Sequence, residues 1–361
     1  LKWAKDRNVT IAPNGAMFKR DKQGFLPELM EKMYTERVVY KKKAIEAKIE
    51  YQKTKDPIYS NEISRCHNIQ MAKKISLNSA YGAIGNQYFR YFDVKQAEAI
   101  TLGGQLSIRW VERDVNRFMN KLLGTDNKNY VVASDTDSIY LKLDTLVEKV
   151  CKGKSTKQIV EFLNKAAEDK IQKVIDDSYQ NLAHYVNAYQ QKMIMKREAI
   201  ANKGIWVAKK RYMMNVFDEE GVQYDIPKLK IMGVEAVKSS TPEVCRGKIK
   251  DAIRVIMNDS EDALIKFVND FKEVFKTLSP EEVAFPRSCN NVNRYVDSNS
   301  IYKKGTPIHV KGSLIYNHHI NKHKLQRKYP LIKDGDKIKF LMLKQPNTCL
   351  LYTSPSPRDS S

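Results

Sequence analysis

Residues 26–54 are rich in Glu, Lys, Met and Ala and contain one proline, Pro27, and no glycine. That pattern predicts one long charged helix with Pro27 in its first turn. Asp56-Pro57 interrupts the pattern and residues 61–80 resume it, so an antiparallel helical pair is expected. Gly82 and Gly85 are expected to end the second helix. Residues 97–122 predict a third, with Ile100, Ile108, Val111, Val115, Phe118 and Leu122 as buried positions. A β-hairpin is expected over residues 130–143, where Val131-Val132 and Ile139-Tyr140-Leu141 flank a polar turn. Residues 159–189 read as helical. Residues 193–216 hold β-branched segments, and 224–234 read as strand and turn. Ser239-Ser240-Thr241-Pro242-Glu243 is a helix start for residues 244–257, with another helix over 261–277. Beyond Pro286 the pattern weakens, and residues 306–316 read best as strand. There are no internal repeats, and the whole is α+β.

Two constellations in this layout carry chemistry. Lys74, Asn78 and Tyr81 stand at offsets 0, 4 and 7, on one helix face, with Gly82 following. Arg37 and Lys41, four apart, line a face of the preceding helix. Taken alone, such residues are ordinary solvated helix faces; together, their cations suit β- and γ-phosphates. Asp135 and Asp137, at i and i+2 of a hairpin, are expected to point to one side. Their like charges repel unless a divalent ion relieves them, although an Asp-rich turn is common in itself. A cationic helix face with paired carboxylates suits phosphoryl transfer under divalent metals. No Walker-type loop, Rossmann glycine pattern or HExxH is present, which leaves other nucleotide and hydrolase chemistries unsupported.

Charge strengthens this picture. The 63 Lys and Arg against 42 Asp and Glu leave a net charge of +21, spread widely with clusters such as Lys41-Lys42-Lys43 and Lys209-Lys210-Arg211. Such a surface favours a polyanion through counterion release. No apolar run reaches the ~18 residues of a membrane span, so no membrane partner is expected. The five cysteines are far apart and never form CxxC; they read as reduced thiols without a zinc site. His319 and His323 are four apart but lack an acidic or cysteine partner nearby, so they read as surface residues.

The four motifs then show a resemblance. KISLNSAYGAIGNQYFRYFD (residues 74–93) resembles motif B of family B DNA polymerases, and ASDTDSIYL (133–141) resembles their motif C. Lys209-Lys210-Arg211-Tyr212 is similar to the element of that family that holds the primer, and Lys228-Leu229-Lys230-Ile231-Met232-Gly233 to one of its palm segments. The order and spacing resemble the replicative enzymes of T-even-type bacteriophages, over roughly residues 8–348. The resemblance implies a right-hand fold: a palm remnant over 1–23, helical-hairpin fingers over 24–86, a β-sheet palm with flanking helices over 87–238, and a mostly helical, truncated thumb over 239–348. It implies template-directed addition of dNTPs to a primer 3′ end, with two Mg²⁺ ions or Mn²⁺ in their place. Arg37, Lys41 and Lys74 would bind the triphosphate, Lys74 acting also in catalysis. Asn78 would support that face, with Tyr81 and Gly82 against the nascent base pair. Asp137 would bind both metals with Asp135 beside it, and Glu198 would act through water. Lys209, Lys210, Arg211 and Tyr212 would meet the DNA. Primer–template, dNTPs, a sliding clamp and other replisome proteins are the implied partners, and the cytoplasm of an infected bacterium the implied place.

Departures from the pattern shape the remaining expectations. Ser134 stands where the family usually has Gly, which is expected to alter the hairpin turn. The 201–209 loop reads as short. The DxxSLYPS motif, which supplies the other metal-bridging Asp, does not occur among the 361 residues, so the chain alone is expected to be inactive. The chain begins at Leu1, and residues 349–361 resemble a translated transposase adaptor from a sequencing library, so a gene fragment is expected. The alternatives are one half of a split polymerase, or a non-catalytic nucleic-acid binder with the same fold.

Overall fold

The computed structural model describes residues 2–342 and the backbone of Ser354–Pro355. Leu1, 343–353 and 356–361, where most of the adaptor expectation falls, lie outside the described residues. The chain divides into two compact units. One comprises Leu1–Ala201 with Val216–Pro227, the other Asn202–Asn215 with Lys228–Ser361.

The first unit opens with helix α1 (Lys2–Asp6) and a small antiparallel hairpin, β1 (Val9–Ile11) and β2 (Met17–Lys19). Helices α2 (Phe25–Thr54) and α3 (Pro57–Ile84) follow and pack against each other along their lengths. Local chemistry sets their joint. Lys55 adopts a left-handed φ of 57° and its N–H caps Tyr51, while the Asp56 carboxylate accepts the Ile58 N–H with Pro57 in the first turn. Helix α3 runs through Gly82 to Ile84 and stops at Gly85. Gly82 therefore does not end it: one glycine in a helix interior destabilises it by only ~1 kcal/mol against Ala.

Helix α4 (Val94–Leu123) is the spine of this unit. Asp93 caps it by accepting the Lys95 and Gln96 N–H groups, and Gly124 ends it at φ 63°. Its buried stripe is Ala99, Ser107, Val111, Val115, Met119 and Leu123, four apart over most of its length. Ile108 and Phe118 pack at the margin of that core. Ile100 and Leu122, expected inside, are exposed; they lie one position off the stripe and near the two ends of α4, where less of the core reaches the helix margin than at Ile108 and Phe118. Strands β3 (Val131–Asp135) and β4 (Ser138–Leu141) form the expected hairpin. Helices α5 (Asp144–Val150), α6 (Thr156–Ala166) and α7 (Gln172–Tyr185) follow, the last two joined by a five-residue π-turn, Ala167–Ile171. Val115, Met119, Tyr130, Val131, Leu146, Ile175, Tyr179 and Met195 share one core.

Strands β5 (Ala199–Ala208), β6 (Arg211–Glu219) and β7 (Val222–Met232) form a sheet in that order, with two-residue links that only antiparallel neighbours can use. The second unit continues with α8 (Glu243–Asn258), α9 (Glu261–Thr277) and a short α10 (Pro280–Val283). Strand β8 (Phe285–Ser288), helix α11 (Ile308–Lys322), strand β9 (Lys337–Phe340) and β10 (Ser354–Pro355) complete it, β9 lying between β8 and β10. Residues 308–316, expected as strand, belong to α11. Ile308, Val310 and Ile315 favour strand locally, but Val310 and Leu314, four apart, both reach a core with Cys289, Val292, Ile332 and Ile338. Tertiary burial overrides propensity there.

Asp218 on β6 is buried and paired with Arg197, whose guanidinium also donates to Asn164. Removing one partner of a buried pair leaves an uncompensated charge. Asp218→Ala is expected to destabilise the first unit by about 3–5 kcal/mol, measured by denaturant unfolding.

Candidate active site

The β3–β4 hairpin turns over two residues, Thr136 and Asp137, with Asp135 facing Ser138 in the register. The turn is tighter than an ordinary two-residue loop. The Asp137 N–H donates to the Asp135 carbonyl at 2.6 Å across Thr136, whose φ is 56°. A β-branched residue at positive φ is strained, and this i to i+2 bond is a γ-turn feature. The Thr136 hydroxyl donates to Asp135 Oδ1 at 3.0 Å and the Ser138 hydroxyl to the Asp135 carbonyl at 3.2 Å. Asp137 is exposed in the turn itself, and Asp135 is half-buried at the strand end. Ser134 lies within β3 opposite Ile139, one position before the turn's first residue.

Helix α4 fixes the base of this hairpin. Asn116 Oδ1 accepts the N–H groups of Tyr130 at 2.8 Å and Val131 at 3.1 Å. One turn later, Asn120 bonds both the N–H and the carbonyl of Lys128, at 3.0 and 2.8 Å. Asp137 is also felt inside the core: burial first, and the charge of Asp137 second, hold the Tyr179 phenol above its usual pKa.

The helical pair arranges the expected cations. The link at Lys55-Asp56 and the Glu36–Lys73 ion pair at 2.5 Å fix the antiparallel register. That register sets Arg37 level with Lys74, ~27 Å from the joint at ~1.5 Å per residue. Lys74, Asn78, Tyr81 and Gly82 are all exposed on α3. Arg37 is half-buried, and its Nε is buried with no hydrogen-bond partner. Lys41, one turn nearer the joint, is ion-paired with Glu220.

Glu220 and Gly221 link β6 to β7, and sequence reasoning passed over them. The Glu220 N–H donates to the Glu198 carbonyl at 2.7 Å, so this turn lies against the segment carrying Glu198. Glu198 itself is exposed. Among the described residues no group of three or more His, Cys, Asp or Glu converges as metal ligands. The hairpin aspartates offer hard oxygen donors suited to Mg²⁺.

In the second unit Lys209 and Lys210 form the exposed β5–β6 link, with Lys210 at φ 59°. Gly233, at φ 65°, lies so close that a Cβ there would come 2.1 Å from the Lys210 carbonyl oxygen. Only glycine fits, and it joins two of the sequence motifs into one piece. Arg211 pairs with Glu235, and its Nε is buried without a partner. Tyr212 is buried and stacks on Trp206, with centroids 6.0 Å apart.

Comparison with known proteins shows what the chain as a whole is similar to. The sequence pattern of DNA polymerase family B matches residues 1–356. The DNA-directed DNA polymerase of Escherichia phage RB69 is 32% identical, across 94% of this chain and 43% of that protein. That of Enterobacteria phage T4 is 30% identical with the same coverage. DNA polymerase 1 of Pyrococcus abyssi is 28% identical across 77% of this chain and 29% of its own. The chain thus spans less than half the length of the phage relatives. The solved family B polymerase of the archaeon Pyrobaculum calidifontis covers 96% of this chain at a TM-score of 0.48 and 19% identity, a likeness too loose to carry weight.

Replacing Asn116 with Ala leaves two backbone N–H groups unanswered at the hairpin base. The expected outcome is a loss of about 1–3 kcal/mol in stability and faster amide exchange at Tyr130 and Val131 than at β6, read by hydrogen exchange.

Proposed function

The chain belongs to DNA polymerase family B, and from that membership we propose that it forms the fingers, palm and part of the thumb of a DNA-directed DNA polymerase. In this reading residues 24–86 are the fingers, 87–238 the palm and 239–348 the thumb, with 1–23 also palm. Its substrates are a primer–template and dNTPs, and its setting is viral DNA replication in an infected bacterium, with clamp and replisome contacts outside this chain.

The reading is supported above all by the register of α2 and α3. It brings Arg37, with a buried donor lacking an acceptor, level with the exposed Lys74. The exposed Lys74 ammonium and the half-buried Arg37 guanidinium are charge-assisted donors of the kind that polyphosphate oxygens accept. Lys41 extends the grip by one turn. Asn78 holds the face, and Tyr81 and Gly82 offer a flat surface to the new base pair. Asp135 and Asp137 would hold the metal, Mg²⁺ or Mn²⁺, with Glu198 reaching it through water. When bound, two such ions supply Lewis acidity at the primer hydroxyl and the α-phosphate. Lys209, Lys210 and Arg211 would contact primer phosphates and position rather than read the DNA. The buried Tyr212 ring would brace that turn from behind through Trp206.

These 361 residues contain no DxxSLYPS motif, so the chain alone is expected not to extend a primer. It is still expected to bind primer–template DNA. About six phosphate contacts would lose ~10³ in affinity between about 50 and 200 mM salt. Binding indifferent to salt would overturn the DNA assignment. In a polymerase completed with the other motif, Asp137→Ala is expected to abolish extension while leaving DNA binding largely intact. Extension at the unmodified rate would remove Asp137 from the metal site.

A further inference from the structure

Lys41 belongs to the triphosphate grip proposed above, yet its ammonium is already engaged by Glu220, distant in sequence on the β6–β7 link. The geometry of that link is unusual for the residue it holds. Glu220 and Gly221 have φ values of 56° and 89°. Positive φ at both positions of a two-residue hairpin loop is type I′ geometry. Asn, Asp and Gly fill the first position readily; a longer side chain is strained there. A strained non-glycine residue is a pointer to function. What Glu brings over Asn or Gly is a charged carboxylate on a longer arm.

The rest of the link is clamped. The Glu220 N–H is held by the Glu198 carbonyl at 2.7 Å, and the Gly221 N–H by Asp218 Oδ1 at 3.0 Å. Asp218 is in turn held by Arg197. The Glu220 carboxylate therefore projects from a fixed base. The pair itself remains open to solutes, with side chains 43% and 28% exposed for Lys41 and Glu220. An exposed ion pair is weak, and a polyanion with several charges can displace one carboxylate.

We propose, resting on the triphosphate reading of Arg37, Lys41 and Lys74, that Glu220 is a built-in counter-ion that occupies Lys41 until a nucleoside triphosphate competes for it. Glu220 touches no substrate in this scheme. It is a positioning residue that holds the Lys41 side chain in place between turnovers and lowers triphosphate affinity. It also ties the helical pair to the segment that carries Glu198.

The test is binding of inorganic tripolyphosphate to the 361-residue chain at low salt, with Glu220→Gln and Glu220→Asn in the parent and in a Lys41→Met background. Asn suits the left-handed turn, so Glu220→Asn is expected to keep or raise the melting temperature. Both variants are expected to bind about threefold tighter, equal to ~0.7 kcal/mol at ~1.4 kcal/mol per tenfold. The gain should vanish in the Lys41→Met background, which a purely structural role for Glu220 would not produce. Unchanged or weaker binding in both Glu220 variants, with Arg37→Ala and Lys74→Ala still harmful, overturns the counter-ion role and leaves the triphosphate reading standing. If Arg37→Ala, Lys41→Met and Lys74→Ala are all without effect, the triphosphate reading fails and the counter-ion role with it.

Discussion

Two carboxylates at either side of one turn residue repel each other, and the molecule must hold them against that repulsion. The means are local and then long-range. The 2.6 Å bond from the Asp137 N–H to the Asp135 carbonyl closes the turn, at the expense of a left-handed φ at Thr136. Asn116 and Asn120 then fix the approach to β3, because a backbone group leaving a helix end for a strand needs a partner. Beneath both lies the α4 stripe of Val111, Val115 and Met119, which are fully buried. A strained turn persists only where its surroundings over-determine it, and here a helix, two asparagines and a core do so.

The same economy of charge runs through the rest of the first unit. A chain with a net charge of +21 has cations to spare, and the structure spends its acids on particular ones. Glu36 takes Lys73, Glu31 takes Lys192 at 2.5 Å, and Glu220 takes Lys41. Lysine 192 holds the Glu31 carboxyl below its usual pKa, and Lys73 does the same for Glu36. These exposed pairs add little stability individually. Their larger effect is selection, since they decide which cations on the helical pair face solvent and which are directed at a protein group.

Sequence legibility followed the range of the interactions involved. Helix α9 was readable to its ends, because Ser260 caps it locally and its charged face is regular. Helix α2 was readable because nothing within it breaks a helix. The placement of Asp135 and Asp137 at a hairpin turn and of Lys74 on a helix was legible by type and spacing. What sequence could not reveal was set by distant partners. Helix α11 carries strand-forming residues that a core with β9 forces into a helix. Ile100 and Leu122 are apolar but miss the α4 stripe by one position near the two helix ends. Positive φ at Thr136, Lys210 and Glu220 has no local signature, because none is glycine. Glu220 had one faint signal, a glycine after it between two β-rich runs.

The α2–α3 pair has a property that follows from how little it encloses. Helices of 30 and 28 residues bury only Ala44 and Ala47 on one side and Cys66 on the other. The seam contributes little hydrophobic free energy, since such small side chains remove little apolar area from water. Cooperative opening of such an element requires far less than global unfolding. The pair therefore belongs to the low-stability end of the first unit, where local opening precedes global unfolding.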